Sequence, residues 1–227
     1  PRLPTSPTKR QTLIAALIGL LNASGYVKPD NYERPAEGVI TIGSACSGWS
    51  SELMAIMKLG LRHTSVFACE QDAKTALLNK VMYDHALFYK DCTSAAFQKA
   101  PYVDFFFFSG FPCQPWSSMG KREGIADIRG TIIFHLISWL AQRRPRLFIL
   151  ENVEGMLIHH AATLLLIIEL LQALKDQRGK PAYSITWKCL NCREYGYIPQ
   201  NRKRIFIVGI RKQGQVSDMV WPGQALL

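Results

Sequence analysis

From residue 39 onward, apolar runs of four to seven residues alternate with longer segments in which apolar side chains recur at helical spacing. The runs 39–44, 65–68, 86–89, 104–108, 146–150, 184–189 and 204–210 read as strands. They are short, rich in β-branched and aromatic residues, and mostly bounded by Gly, Pro, Asp or Asn. The segments 50–59, 73–83, 132–143 and 161–175 read as helices. Almost continuously apolar strands need cover on both faces, so the alternation predicts an α/β fold, Rossmann-like, with a mostly parallel sheet between helices. Ligands of such sheets bind beyond the carboxyl ends of the strands, and every residue singled out below falls there. Upstream, 11–23 predicts a helix that is apolar on most faces and must pack against something. Residues 1–8 are Pro- and Thr-rich and predict disorder, and 24–38 read as a linker. With 227 residues the chain suits one sizeable core rather than two.

The formal net charge of +10 is unevenly spread. Up to Cys113 there are 11 Lys and Arg against 9 Asp and Glu, and beyond it 16 against 8. A basic downstream half suggests a face for a polyanion such as nucleic acid, with plain solubility as the blander reading. Six cysteines in a chain this long do not make a disulfide scaffold. Cys46, Cys69 and Cys92 are each 23 residues apart and Cys113 follows 21 later, the period of a repeated strand-helix unit. Cys189-x-x-Cys192 is half a zinc site without a second pair and reads as a strand and its turn; His159-His160 reads as a surface turn. No metal is expected. The longest apolar stretches, 13–21 and 161–171, are shorter than the roughly 20 residues that cross a bilayer, and no signal peptide is visible. The expected setting is intracellular and reducing: nuclear in a eukaryote, cytoplasmic in a bacterium or virus.

Candidate chemistry concentrates in three segments. Cys113 stands in Gly110-Phe111-Pro112-Cys113-Gln114-Pro115-Trp116-Ser117, behind the four phenylalanines Phe105 to Phe108. A buried strand that ends in a Gly- and Pro-kinked turn exposes a thiol nucleophile at a sheet edge. Glu151-Asn152-Val153 follows another apolar strand, and Gln200-Asn201-Arg202-Lys203-Arg204 leads into a third. These three segments, in this order, resemble the catalytic motifs of the C5-cytosine DNA methyltransferases. The run Asp127-Ile128-Arg129-Gly130-Thr131 and the stretch from Asn191 through Tyr195-Gly196-Tyr197-Ile198-Pro199 add to the likeness, which covers 39–211.

The resemblance implies a fold that binds S-adenosylmethionine and methyl transfer to carbon 5 of cytosine. Cys113 would add to carbon 6 of the ring, flanked by Pro112 and Gln114. Glu151 would act at N3 beside Asn152, Arg204 would fix O2, and Arg202 would orient Glu151 or the base. The stretch 114–129 would close over nucleic acid, with Ser117, Lys121, Arg122, Arg129 and Gln200 as contacts and the base flipped from a duplex. The cofactor would take Cys46, Ser47, Gly48 and Trp49 after the first strand, and Glu70 and Gln71 after the second, for ribose hydroxyls. Asp91 and Cys92 would lie near adenine, with Ser109 and Gly110 beside them. Where the family carries an aromatic followed by glycines, this chain has Cys46, with Ser50 and Ser51 at later glycine positions and Gly48 kept. DNA is the expected substrate and RNA the alternative. Residues 1–38 form an arm, 39–215 the catalytic domain, and 216–227 a stub where target recognition would begin. Neither a recognition region nor a closing segment is visible, so a partner chain in a split enzyme and a non-catalytic cofactor-binding role stay open.

Overall fold

The structure is a computed structural model that describes residues 7–23, 35–116, 127–196, 198–212 and 219–223. In them the strands are β1 (Ile40–Ala45), β2 (His63–Cys69), β3 (His85–Tyr89), β4 (Phe106–Gly110), β5 (Leu147–Val153), β6 (Tyr183–Asn191) and β7 (Lys203–Arg211). The helices are α1 (Pro7–Ala23), α2 (Ser51–Lys58), α3 (Ala73–Met82), α4 (Ala95–Gln98), α5 (Ile132–Arg143), α6 (Gly155–His159), α7 (Ala161–Gln172) and α8 (Cys192–Tyr195). One sheet of order β3-β2-β1-β4-β5-β7-β6 joins all seven strands, with β7 antiparallel to both neighbours and every other pair parallel. Because β7 runs backwards, its first residues reach the edge where the parallel strands end.

Alternation along the strands sorts the apolar side chains into two layers. Phe107 joins the larger cluster and stacks on Trp139 at 4.6 Å, among residues of α5 and α7. Phe106 and Phe108 point the other way, into a smaller cluster with Ile42 and with Leu53 of α2. Gly209 lies opposite Phe148 in the β5–β7 ladder, where a Cβ would strike the Phe148 ring; the glycine lets that ring lie across β7.

Several expectations shift. The first helix begins at Pro7, inside the stretch expected to be disordered, since proline suits the first turn of a helix. It packs Ile14, Leu17, Ile18 and Leu21 against the larger cluster. Asn22 ties its end to the turn after α7, donating to the Ala173 carbonyl at 3.3 Å and accepting from the Lys175 amide at 3.0 Å. Residues 1–6 and most of the expected linker lie outside the described residues. β5 runs on to Val153, so Glu151 sits within the strand, because pairing with β7 continues through Val153↔Arg204. His160 is half-buried rather than in a surface turn, set edge-on against Trp116 at 5.2 Å. Cys189 lies near the end of β6 and Cys192 opens α8. Among the described residues no helix is long and apolar enough to cross a membrane.

One polar group is poorly placed. Glu52, in the first turn of α2, is 6% exposed, and neither carboxyl oxygen has a hydrogen-bond partner among the described residues. Burial pushes its pKa up, against the opposing pull of the Ser44 and Ser50 hydroxyls and of its own backbone amide. A raised folded pKa favours the native state at low pH, and that stability is lost as pH rises from the unfolded value of about 4.3 through the folded one. Glu52→Gln is therefore expected to flatten this part of the stability–pH curve in urea unfolding. A mutant curve parallel to that of the wild type above pH 4 would remove Glu52 as its source.

Candidate active site

The carboxyl edge of the sheet opens into a cavity of about 550 Å³, within the size range of small-ligand sites. At one end the chain turns from β1 into α2 with Cys46, Gly48 and Ser50 in the left-handed region, at φ of 51°, 53° and 48°. Only the glycine does this freely; the other two cost about 1–2 kcal/mol each. Hydrogen bonds hold the turn. The Ser47 hydroxyl donates to the Cys69 carbonyl at 3.1 Å and accepts from the Cys69 amide at 3.0 Å. Asn79 of α3 donates to the Gly48 carbonyl at 2.8 Å and the Ser50 hydroxyl at 2.9 Å. The Glu70 carboxylate accepts from the Gly48 amide at 2.8 Å and from the Asp72 amide at 2.9 Å, which fixes it at the cavity wall. Asp91 is held through one oxygen, which accepts from the Thr93 amide and hydroxyl, both at 2.8 Å.

At the other end, β4, β5 and β7 bring three segments together. Gly110 pairs with Glu151, and Glu151 pairs with Phe206 on its other side. A Cβ on Gly110 would lie 3.3 Å from Glu151 Oε2, so the glycine leaves room for the carboxylate. Glu151 Oε1 meets Arg204 Nε at 2.8 Å, and the two side chains are 23% and 19% exposed. Burial raises the Glu151 pKa, and the Arg204 and Arg202 charges, with the Arg204 hydrogen bond, hold back only part of that rise. The result is a carboxyl that keeps its proton more readily than an exposed glutamate. Asn152, buried, donates to the Phe111 carbonyl at 3.1 Å and thereby links β5 to the segment carrying Cys113. Cys113 opens a turn closed by the Trp116 amide donating to its carbonyl at 3.0 Å, with Trp116 fully buried behind it.

The cavity collects Cys46, Gly48, Glu70, Gln71, Asp91, Cys92, Gly110, Pro112, Cys113, Gln114, Arg129, Glu151, Arg202 and Arg204 of the residues expected from sequence. It does not collect the rest of the described ones. Ser47, Ser109 and Asn152 are buried behind the wall, Trp49 is 59% exposed on the outer side of the turn, and Gln200 is exposed. Gln200 precedes β7, which starts only at Lys203. Arg129 reaches the wall already paired with Asp127 at 2.6 Å. Ser117, Lys121 and Arg122 lie outside the described residues. Cys69, Asp72, Lys90, Phe111, Ile132 and Val153 complete the lining and were not anticipated, although Cys69 shares the 23-residue spacing of its neighbours.

Fold and edge chemistry define a Rossmann-like α/β protein with a nucleotide-sized cavity running from an acidic end to a thiol, carboxyl and guanidinium end. Residues 42–224 match the family model of the C-5 cytosine-specific DNA methylases, and the chain belongs to that family. It is 40% identical over 159 residues to the type II methyltransferase M.NgoBV of Neisseria gonorrhoeae, covering 64% of this chain and 36% of that protein. It is 38% identical over 155 residues to M.NlaIV of Neisseria lactamica, covering 65% and 34%. The aligned part is thus about a third of the length of these relatives. The Entamoeba histolytica methyltransferase EhMeth shares the fold, with a TM-score of 0.61 at 16% identity over 82% of this chain and 57% of that one.

Asn191, at the end of β6, organises the approach to the two arginines. Its side-chain oxygen accepts from the Arg202 amide at 3.0 Å, and its amide donates to Asn201 Oδ1 at 2.9 Å. It is 7% exposed. Asn191→Ala removes the acceptor of the Arg202 amide and is expected to cost about 0.5–1.5 kcal/mol in urea unfolding. A loss below about 0.5 kcal/mol, the size of an ordinary surface change, would show that the loop does not depend on it.

Proposed function

We propose that this chain carries the catalytic part of an S-adenosylmethionine-dependent methyltransferase acting on carbon 5 of cytosine in DNA. The observation that carries the reading is the single cavity joining Cys113, Glu151, Arg202 and Arg204 to the acidic turn end. The turn end suits the cofactor: fixed carboxylates at Glu70 and Asp91 match ribose hydroxyls and an adenine amino group, and the backbone at Gly48 lies open to a ligand. When bound, S-adenosylmethionine supplies an electrophilic methyl group.

Carbon 5 of cytosine is a poor nucleophile until the ring is made electron-rich. Cys113 does this by adding to carbon 6. Glu151 bonds the ring at N3 and delivers a proton there as the thiol adds, a role that its raised pKa suits. Arg204 holds Glu151 in position and offers its remaining N–H groups to O2 of the base, and Arg202 adds positive charge on the same wall. After transfer, loss of the carbon 5 proton and departure of Cys113 restore the aromatic ring. A cytosine in a duplex has to be flipped to reach this depth.

Transfer of tritium-labelled methyl from S-adenosylmethionine to DNA and to RNA tests the reading. Label is expected at cytosine carbon 5 in DNA. Cys113→Ser should lower turnover by about a thousandfold or more while cofactor affinity stays within a few-fold. Label on RNA alone would replace the substrate, and loss of cofactor binding with the thiol would overturn its assignment to the base. Arg204→Ala is expected to slow transfer at least about tenfold more than Lys212→Ala. Equal losses would argue against a role for Arg204 at the base.

A further inference from the structure

The 23-residue recurrence of Cys46, Cys69 and Cys92 becomes a cluster in the folded chain. Cys46 follows β1, Cys69 closes β2 and Cys92 lies just past β3, and the sheet sets these strands side by side in the order β3-β2-β1. Cys46 Sγ and Cys92 Sγ come within 3.9 Å of each other. All three are free thiols and all three line the cavity at its cofactor end. None takes part in the chemistry of methyl transfer, and Cys113, beyond β4, lies on the other side of β1.

We propose that Cys46 and Cys92 form an oxidant-reactive dithiol, a modification site whose co-substrate is a hydroperoxide and whose product is a disulfide across the cofactor end of the cavity. Cys92 is the attacking sulfur. Cys46 Sγ is in hydrogen-bond reach of it, and the neighbouring Cys46 and Cys69 sulfurs hold its pKa down to about 4 while their own rise. The Cys92 thiolate attacks one peroxide oxygen, the O–O bond breaks, and hydroxide leaves a sulfenic acid behind. Cys46 sulfur then attacks Cys92 sulfur, the S–O bond breaks, and the Cys46 proton departs with the hydroxide as water. In balance, two thiols lose two electrons and one hydrogen peroxide becomes two waters. The sulfurs must close from 3.9 Å to about 2.05 Å, which requires the two turns to approach each other. The bond would tie the Cys46 turn to the Cys92 turn over Cys69. Its formation does not depend on the proposed function, whereas its consequence, exclusion of S-adenosylmethionine, rests on it.

The test treats the reduced protein, freed of reductant, with hydrogen peroxide and digests it without reduction. Mass spectrometry is expected to find a peptide joining Cys46 to Cys92, reversed by dithiothreitol and absent from Cys46→Ala. The thiol count of the denatured protein should fall from six to four. Oxidation confined to Cys113, or a dominant link through Cys69, would overturn the proposal, and the wild-type digest alone can show either. Calorimetry with S-adenosylmethionine on reduced and oxidised protein reads the consequence, with an expected affinity loss of about tenfold or more. Equal affinity in both states would overturn occlusion. No binding even when reduced, with the disulfide present, would count against the proposed function and leave the dithiol standing.

Discussion

The site depends on one strand running the wrong way. β7 enters between β5 and β6 antiparallel to both, so its amino end, not its carboxyl end, arrives where the parallel strands stop. That reversal lets a basic segment preceding a strand meet an acidic residue near the end of another. Glu151 and Arg204 then pair at 2.8 Å, both largely out of solvent, on strands already joined by a continuous ladder. Side chains positioned by two neighbouring strands are held far more tightly than side chains on loops, which favours a reaction needing a proton donor at a fixed point. Gly110 on the opposite strand completes the arrangement by leaving the carboxylate its space.

The cofactor end solves a different problem with polar contacts. A turn with three left-handed residues, two of them not glycine, carries a conformational cost, offset here by a network around Ser47, Glu70 and Asn79. The network runs on through His85, which bonds Asn79 at 2.7 Å and the Ser65 hydroxyl at 2.6 Å. Burial holds the His85 pKa down, which suits a neutral ring bridging the two. Asn79 is the one fully buried residue of α3, so this helix is attached to the sheet as much by hydrogen bonds as by apolar packing. Ser50, at a later glycine position of the family pattern, brings a hydroxyl that accepts from the Asn79 side-chain amide at 2.9 Å.

Much of this was legible from the chain. All seven strands follow from short apolar runs, and α5 falls at its expected bounds; in central strands such as β1 and β4 burial leaves a composition signal that does not depend on partners. The short helices α4, α6 and α8 left none, being too brief for a period to show. Glu151, Cys113 and the two arginines were visible as motif residues. Gln200 and Trp49 stand outside the cavity lining, and no local pattern in the chain separates them from the neighbours that reach it.

What the sequence by itself determined is the set of elements and the residue types at their ends, because periodicity and turn chemistry are local properties of the chain. The tertiary structure alone decided which ends meet. Strand order gathered three evenly spaced cysteines into one cluster, and the reversal of β7 brought Arg204 to Glu151. Pairing partners, unlike periods, are chosen by hydrogen bonding between segments far apart in the chain, and no short window of sequence contains both halves of that choice.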